Sequence, residues 1–347
     1  MVNLKALSEE ELTGFLLSLD LPSFRVKQLL YRMYEKRALH IQDITELSKA
    51  LRERLSKIAC ISNLKLLDRR VSIDGTEKFL FGLDDGEAIE AVLIPDGDRL
   101  TLCVSSQIGC AMGCRFCLTG KMGFIRNLQA HEIVDQVIAA QRLIGPRMTT
   151  NIVFMGMGEP MNNLDNVSHA LKRMNSLLKI SKRRITVSTS GVVPGIKRLA
   201  TLTPAVNLAV SLNATTDNVR EYIMPVNRRY PVRALMRACR EYPLEPRRRI
   251  TFEYILFEGL NDSSGDAGRL VRLLRGIPSK INLIPFNPYE GAEFRRPQEE
   301  RVQFFRSLLQ AGGLTAIVRK SKGGDILAAC GQLRGFYTRA GISCQCV

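Results

Sequence analysis

The sequence predicts an α/β protein whose main body is a partial (βα)6 barrel, with a small N-terminal helical domain and a β-rich extension before it. Three observations support this prediction: helical apolar periodicity in the first sixty residues, short β-like runs after them, and then about six strand-like runs that alternate with helix-like stretches. Repeated strand–helix alternation implies parallel strands joined by helical crossovers. The predicted domains are residues 1–62, 63–98 and 99–347.

The N-terminal domain begins with a helix start signal. Ser8 precedes three consecutive glutamates, and Leu12, Phe15, Leu16 and Leu19 follow with a helical period. A serine cap with acidic residues in the first turn is typical of a helix N-terminus. Further apolar periodicities predict two more helices, after Pro22-Ser23 and around residues 51–58.

The extension and the barrel differ in their predicted secondary structure: the extension has short strands between turns, and the barrel alternates strands with helices. Residues 76–81 and 88–94 alternate or run apolar between Asp and Gly turns, which predicts strands. The barrel strands are predicted at 151–155, 185–188, 206–212, 250–256, 281–285 and 315–318. The crossover helices are predicted at 131–143, 164–178, 232–241, 267–274 and 298–310. Six units are fewer than the eight of a closed barrel, and ligands of such barrels bind at the carboxyl ends of the strands.

Charge and composition restrict the partners and the compartment. Fifty Lys and Arg against 34 Asp and Glu give a net charge of +16, which favours a polyanionic partner such as nucleic acid. The absence of Trp and an aromatic content of 6% argue against a surface that relies mainly on base stacking. No signal peptide and no apolar run of about 20 residues are present, so we expect a cytoplasmic protein without a membrane span. Nine cysteines then indicate thiol or metal chemistry.

Three cysteines lie within eight residues, at Cys110, Cys114 and Cys117. A four-iron cluster normally takes four thiolates, so three leave one iron open to bind another molecule. A structural zinc site is the alternative, but it needs four ligands, and the other close pair, Cys344 and Cys346, lies at the end of the sequence. The spacing therefore favours a 4Fe-4S cluster with an open iron.

The cysteine loop, with an aromatic residue before its last cysteine, resembles the radical S-adenosylmethionine (SAM) enzymes. The runs at 102–110, 156–160, 188–195 and 328–333 are similar to those of the 23S rRNA adenine C2-methyltransferases, in the same order over nearly the whole chain. This resemblance implies the radical SAM core barrel, a cluster whose open iron chelates SAM, and an N-terminal accessory domain that contacts RNA.

Candidate SAM contacts lie after the predicted strands. Glycines after a strand allow close approach of a ligand, and Glu159 can accept a hydrogen bond from a cationic amine. By resemblance, SAM contacts are expected at Gly158, Glu159, Ser188, Ser211, Leu212, Asn213 and Asn287. Many relatives carry His where this chain has Asn213, so no proton transfer is assigned to that position.

The resemblance also implies roles for two further thiols and a carboxylate. Cys330 takes a methyl group from one SAM, and a radical from a second SAM then activates that methyl group for addition to the adenine ring. Cys103 attacks the Cys330 sulfur, which releases the methylated base and leaves a disulfide. Glu90 is expected to act as the general base. Carbon 2 of adenine is electron-poor, so simple nucleophilic transfer from SAM does not reach it.

The resemblance implies 23S rRNA and the anticodon loop of tRNA as substrates. An adenosine in an RNA loop also meets two general constraints: base chemistry requires an extruded base, and RNA sequence is read mainly in single-stranded loops. An electron donor such as flavodoxin or a similar reductase system is implied as a partner. Three alternatives stay open: methylation of carbon 8 of the same adenosine, a radical SAM activity on a peptide or small molecule, and a zinc-stabilised RNA-binding protein without catalysis.

Overall fold

A ten-stranded sheet organises the protein in the computed structural model, which describes residues 1–333. The strands are β1 (Val2–Asn3), β2 (Ala59–Cys60), β3 (Lys65–Val71), β4 (Glu77–Gly82), β5 (Ala88–Asp96), β6 (Arg99–Cys103), β7 (Gln107–Gly109), β8 (Phe124–Asn127), β9 (Asn151–Phe154), β10 (Ile185–Thr189), β11 (Asn207–Ser211), β12 (Ile250–Leu256), β13 (Ser279–Pro285) and β14 (Ala316–Val318). The helices are α1 (Glu9–Leu17), α2 (Phe24–Leu30), α3 (Lys49–Ser56), α4 (Leu118–Lys121), α5 (Ala130–Ile144), α6 (Leu164–Ser176), α7 (Val193–Leu199), α8 (Asp217–Ile223), α9 (Val232–Arg240), α10 (Ser264–Leu274) and α11 (Glu299–Ala311). The order across the sheet is β14-β13-β12-β11-β10-β9-β6-β5-β4-β3.

The predicted partial (βα)6 barrel is confirmed, with one strand more than the sequence indicated. All six predicted strands form, and β6 joins them as the first, because Cys103 pairs in parallel register with Val153 of β9. Helical crossovers follow β6 and β9 to β13, and β14 adds a seventh parallel strand at the far edge. The predicted barrel domain, residues 99–347, already includes β6, but β6 was not among the six predicted barrel strands; it also pairs antiparallel with β5. The short helices α7 and α8 were not predicted.

The β-rich extension continues the barrel sheet as three antiparallel strands, β3 to β5. Val92 of β5 lies opposite Lys78 on one side and opposite Cys103 on the other. Directly opposed residues face the same side of a sheet, and side chains alternate along a strand. Lys78, Glu90 and Cys103 therefore share one face of the sheet, although they come from three different strands.

The N-terminal helices form as predicted and contact the barrel helices through polar groups. Ser8 Oγ accepts from the Glu11 amide at 3.1 Å, and the Glu11 carboxylate accepts from the Ser8 amide at 2.7 Å, which completes a capping box. Lys5 Nζ lies 2.7 Å from Asp135 Oδ1 of α5 in a buried ion pair. A buried pair of this kind opposes misplacement of the two elements, because either charge alone would be left without a partner.

The domain limits at 62/63 and 98/99 remain a prediction. Within residues 1–333, no helix has the length and apolar character needed to span a membrane.

Candidate active site at the carboxyl ends of the barrel strands

The cysteine triad lies on one irregular loop between β7 and α4. The Cys110 amide donates to Gly123 O at 2.7 Å, and the Cys117 amide donates to Cys114 O at 3.1 Å, so the loop folds back on itself. Burial, followed by the charges of Cys117 and Glu159, raises the pKa of the Cys110 thiol to about 12. The three thiols are thus close enough to influence one another, and Glu159 lies within the same electrostatic range.

The donor set fits a 4Fe-4S cluster better than a single ion. Among residues 1–333, no three His, Cys, Asp or Glu side chains converge as ligands of one metal ion, so the zinc arrangement is not formed there. A cluster binds each thiolate at a separate corner. Its positive charge would favour the thiolates that burial alone disfavours. Cys110, Cys114 and Cys117 are the residues that would hold it.

The turn after β9 packs tightly against the residues that follow β6. Gly158 has φ +96°, and a Cβ atom there would lie 2.5 Å from Gln107 Cβ and 2.8 Å from the Gln107 amide nitrogen. Both the backbone conformation and the space therefore require glycine. The Gln107 side-chain oxygen accepts from the Glu159 amide at 2.8 Å, which fixes the direction of the glutamate.

The Glu159 carboxylate is buried and accepts hydrogen bonds from the protein on both oxygens. Its Oε2 accepts from Ser190 N and Ser190 Oγ, both at 2.7 Å, and its Oε1 accepts from Met161 N at 3.1 Å. Burial raises its pKa, and the hydrogen bonds only partly offset that effect. The Thr189 side chain also hydrogen-bonds to this carboxylate, so the amine of a ligand would share its two oxygens with these protein donors.

We expect Glu159→Gln to weaken SAM binding about ten- to a hundred-fold, because the isosteric amide would remove the charge-assisted hydrogen bond predicted between Glu159 and the SAM amine. Equilibrium binding of SAM to reconstituted protein measures the effect. Glu241→Gln is the matched control, since Glu241 forms only an exposed ion pair with Arg237. Equal SAM affinity in the two variants would remove Glu159 from the binding site.

Arg220 is a site residue that sequence reasoning missed. Its guanidinium is completely buried and donates to the carbonyl oxygens of Ser190 (2.6 Å), Ser211 (3.2 Å) and Leu212 (3.0 Å). It therefore binds together the carboxyl ends of β10 and β11, where SAM contacts were predicted. An arginine in a short polar helix gives no signal of burial in the sequence.

The other predicted SAM contacts lie at the same edge of the sheet but differ in their surroundings. Ser188 is buried near the end of β10, and Asn287 is buried after β13, where it accepts from Ser321 Oγ. Asn213 has φ +57°, and its Oδ1 accepts from the Ile255 amide at 2.9 Å. The Asn213 amide thus links β11 to β12, in agreement with assigning it no proton transfer.

The structure brings Cys330 close to the cysteine loop. Leu118 N donates to Gly331 O at 2.7 Å, and Thr119 Oγ1 donates to Leu333 O at 2.6 Å. Both donors directly follow Cys117, so the segment around Cys330 docks on the end of the cluster loop. Cys344 and Cys346 lie outside the described residues.

Cys330 and Cys103 are within electrostatic range of each other. Desolvation, followed by Glu253, Cys117 and Cys103, raises the pKa of Cys330 to about 12, and burial raises that of Cys103 to about 12. Cys330 is nevertheless exposed to solvent. The exposure belongs to the residue as a whole, while the protein atoms packed around its sulfur favour the neutral thiol. Cys330 therefore must lose a proton before it can act as a nucleophile.

Glu90 has a buried cationic partner that the sequence did not reveal. Lys78 Nζ lies 3.1 Å from Glu90 Oε1, and both side chains are less than 10% exposed. Ser105 Oγ donates to Glu90 O at 2.6 Å, so Glu90 also lies beside the turn that follows β6. A lysine in a strand normally indicates a solvent-facing position, which is why Lys78 was not singled out.

Comparison with known proteins places this arrangement among RNA-modifying enzymes. Residues 104–271 match the model of the Radical SAM superfamily, and residues 2–61 match the ribosomal RNA large subunit methyltransferase N-terminal domain. The dual-specificity RNA methyltransferase RlmN of Geobacter sulfurreducens is 52% identical over 96% of this chain and 92% of its own length. That of Syntrophobacter fumaroxidans is 53% identical over 91% of this chain and 93% of its own length. The crystal structure of a radical SAM methyltransferase from Sphaerobacter thermophilus has a TM-score of 0.92 and 45% identity, and covers 97% of this chain and 100% of that chain.

Proposed function

The chain belongs to the RlmN family of dual-specificity RNA methyltransferases, which are radical SAM enzymes with a 4Fe-4S cluster and SAM. From this premise we propose that it methylates carbon 2 of an adenosine in 23S rRNA and in the anticodon loop of tRNA. The observation that carries the proposal is the docking of the Cys330 segment on the cysteine loop, within electrostatic range of Cys103. Two accessory thiols beside a cluster loop suit a reaction that needs a methyl carrier and a thiol that releases the product.

In the proposed reaction, Cys330 accepts the methyl group and later gives it up. Its sulfur attacks the methyl carbon of SAM after losing the thiol proton, so an S–CH3 bond forms and the sulfonium bond breaks. When bound at Cys110, Cys114 and Cys117, the cluster supplies the electron for radical chemistry. A radical from a second SAM removes a hydrogen atom from the S–CH3 group, and the resulting carbon radical adds to the ring carbon. Cys330 then holds the base covalently through an S–CH2 bridge, at the position that the docked segment defines.

Glu90 and Cys103 would complete the release. Glu90 accepts the proton of the ring carbon, and the neighbouring Lys78 ammonium stabilises its carboxylate before that transfer. After the adduct has given one electron to an electron carrier, the Cys103 sulfur attacks the Cys330 sulfur. A disulfide forms, the S–C bond to the base breaks, and the carbon that leaves takes up a proton and becomes the new methyl group. The shared face of β4, β5 and β6 supports this division of roles.

Resetting the site requires a reductant. Reduction of a Cys103–Cys330 disulfide takes two electrons, so we propose an electron donor such as flavodoxin or a similar reductase system as a partner. Without that donor the two thiols stay joined after one turnover, and Cys330 cannot accept another methyl group.

Positive charge supports an RNA substrate. An open groove of about 480 Å³ between α11 and β14 contains Arg296, Arg306, Arg319 and Lys320, none of which forms an ion pair with another described residue. Unpaired cations of this kind suit a phosphate backbone. We also propose that residues 1–62 contact RNA, as the matching N-terminal domain model suggests. Since ribosomal and transfer RNA are the proposed substrates, the proposal places the enzyme in the cytoplasm.

Cys103→Ala tests this mechanism directly. We expect the variant to accumulate protein covalently joined to RNA through Cys330, because the thiol that breaks the S–C bond is missing. Denaturing electrophoresis of reactions with SAM, reductant and protein-free RNA measures the adduct, and peptide mass spectrometry locates it.

The control is Cys239→Ala, which changes a cysteine of α9 that the mechanism does not use. It should form product and no lasting adduct. Complete turnover by Cys103→Ala, with no adduct at any time, would contradict the two-thiol mechanism.

A further inference from the structure

The Cys330 segment, residues 323–333, is held at a second place outside the cluster loop. That place is the turn between β3 and β4, residues 72–76, which we call the anchor turn. The Gly323 amide donates to Asp74 Oδ2 at 2.9 Å. A Cβ atom at Gly323 would lie 2.9 Å from Thr76 Cγ2, so the segment and the turn are in close contact.

A second carboxylate, on the Cys330 segment, accepts hydrogen bonds from the anchor turn. Asp325, which belongs to the Cys330 segment, accepts from Ser72 Oγ at 2.6 Å and from Ile73 N at 3.2 Å. Although burial would raise the pKa of Asp74, hydrogen bonds from Thr76 and Gly323 outweigh it and lower that pKa to about 2. Both carboxylates are therefore charged acceptors, which form stronger hydrogen bonds than neutral ones.

Lys78, just beyond the anchor turn, binds the same segment. Its Nζ donates to Leu327 O at 3.2 Å while it pairs with Glu90. Leu327 has φ +53°, a conformation that a bulky residue rarely adopts and that persists only when its surroundings impose it. The contacts around Leu327 thus hold the backbone in a form that it would leave if released.

We propose that Asp74 and Asp325, together with Lys78, are positioning residues that hold Cys330 where it can react with both SAM and Cys103. This inference rests on the proposed role of Cys330 as methyl carrier. Contacts on two sides hold the segment: the anchor turn engages residues 323–327, and the cluster loop engages Gly331 and Leu333. Cys330 lies between the two attachments, so removal of either one frees the sulfur to move.

The test compares two double variants of the reconstituted holoenzyme that remove equal charge. Asp74→Ala/Asp325→Ala removes the anchor. Asp68→Ala/Asp98→Ala is the control, because Asp68 pairs only with the exposed Arg70 and Asp98 is an exposed turn residue. Lys78 is left unchanged, since it touches Glu90. Equal iron content in the two proteins shows that the barrel and the cluster loop have kept their fold.

The first readout does not depend on catalysis. Iodoacetamide modifies Cys330 at a rate that peptide mass spectrometry follows, with buried Cys103 as the internal reference. We expect about ten-fold faster modification of Cys330 in the anchor variant, since thiol reactivity follows access, and unchanged modification of Cys103. The control should match the wild type. Asp74→Asn/Asp325→Asn, which removes the same charges but keeps one acceptor oxygen at each site, should give an intermediate rate.

The second readout is the kinetics of RNA methylation. We expect kcat to fall about 100-fold, as a misplaced reacting atom can cause, with the KM for RNA unchanged. Equal Cys330 modification in the anchor variant and its control would overturn the proposal, and so would faster modification with unchanged kcat. If the wild type methylates no RNA while the modification rates still differ, the anchoring stands and the proposed function fails.

Discussion

Replacing Cys330 by alanine is expected to abolish RNA methylation and to leave the cluster and SAM cleavage intact. The physical reason is the separation of tasks between side chains. Cys110, Cys114 and Cys117 are the proposed cluster ligands on their own loop, whereas the Cys330 segment docks beside that loop through the carbonyl groups of Gly331 and Leu333. Removal of the Cys330 sulfur deletes the proposed methyl carrier and no cluster ligand.

The measurements are iron and acid-labile sulfide content, 5′-deoxyadenosine release, and methylated nucleosides from treated RNA. Because Cys330 is a proposed covalent participant, the rate of RNA methylation should fall at least about 10⁴-fold, to near the background rate. Cys60→Ala, on β2 in the N-terminal domain, is the control and should retain activity. Product formation by Cys330→Ala at a normal rate would exclude Cys330 from the reaction.

Replacing Cys110 by alanine, unlike replacing Cys330, is expected to remove the cluster itself. SAM cleavage and RNA methylation, which both depend on the cluster, should then be lost together. Cys110 is the most buried of the triad, and two ligands from the loop leave the cluster poorly held. Iron and sulfide should fall to a minor fraction of the wild-type content, and neither 5′-deoxyadenosine nor methylated RNA should form.

The fold should survive that change, because the loop makes its own backbone bonds and the surrounding strands do not depend on the thiol. Circular dichroism of Cys110→Ala against the Cys60→Ala control separates cluster loss from unfolding. A full complement of iron and sulfide in Cys110→Ala would show that the cluster ligands had been assigned wrongly.

The secondary structure was largely predictable from local sequence because its signals are local. The capping box at Ser8 and the apolar run of β12 need only their neighbours to be recognised, and both form as predicted. The strand β6 lies inside the predicted barrel domain but was not among its six predicted strands, and its pairing, antiparallel with β5 and parallel with β9, joins separate parts of the chain. Sequence patterns describe a strand and do not describe its partners.

The contacts that define the site were less predictable because they join distant parts of the chain. Lys78 and Arg220 are buried cations, yet lysine in a strand and arginine in a short helix normally indicate exposed positions. Asp74 and Asp325 are 251 residues apart by their numbers, and the fold brings each one against the segment that contains the other. Candidate residues could be named from motifs, but their mutual positions depend on sheet register and loop docking.

The most direct test of the central claim is mass spectrometry of nucleosides from RNA treated with anaerobically reconstituted protein, SAM and a reductant. Protein-free 23S rRNA and unmodified tRNA are treated side by side, with Cys330→Ala as the inactive control. The account predicts 2-methyladenosine in both RNAs. Appearance of 8-methyladenosine instead would contradict the assignment of carbon 2, and absence of any methylated adenosine from protein that cleaves SAM would contradict the assignment of RNA as the substrate.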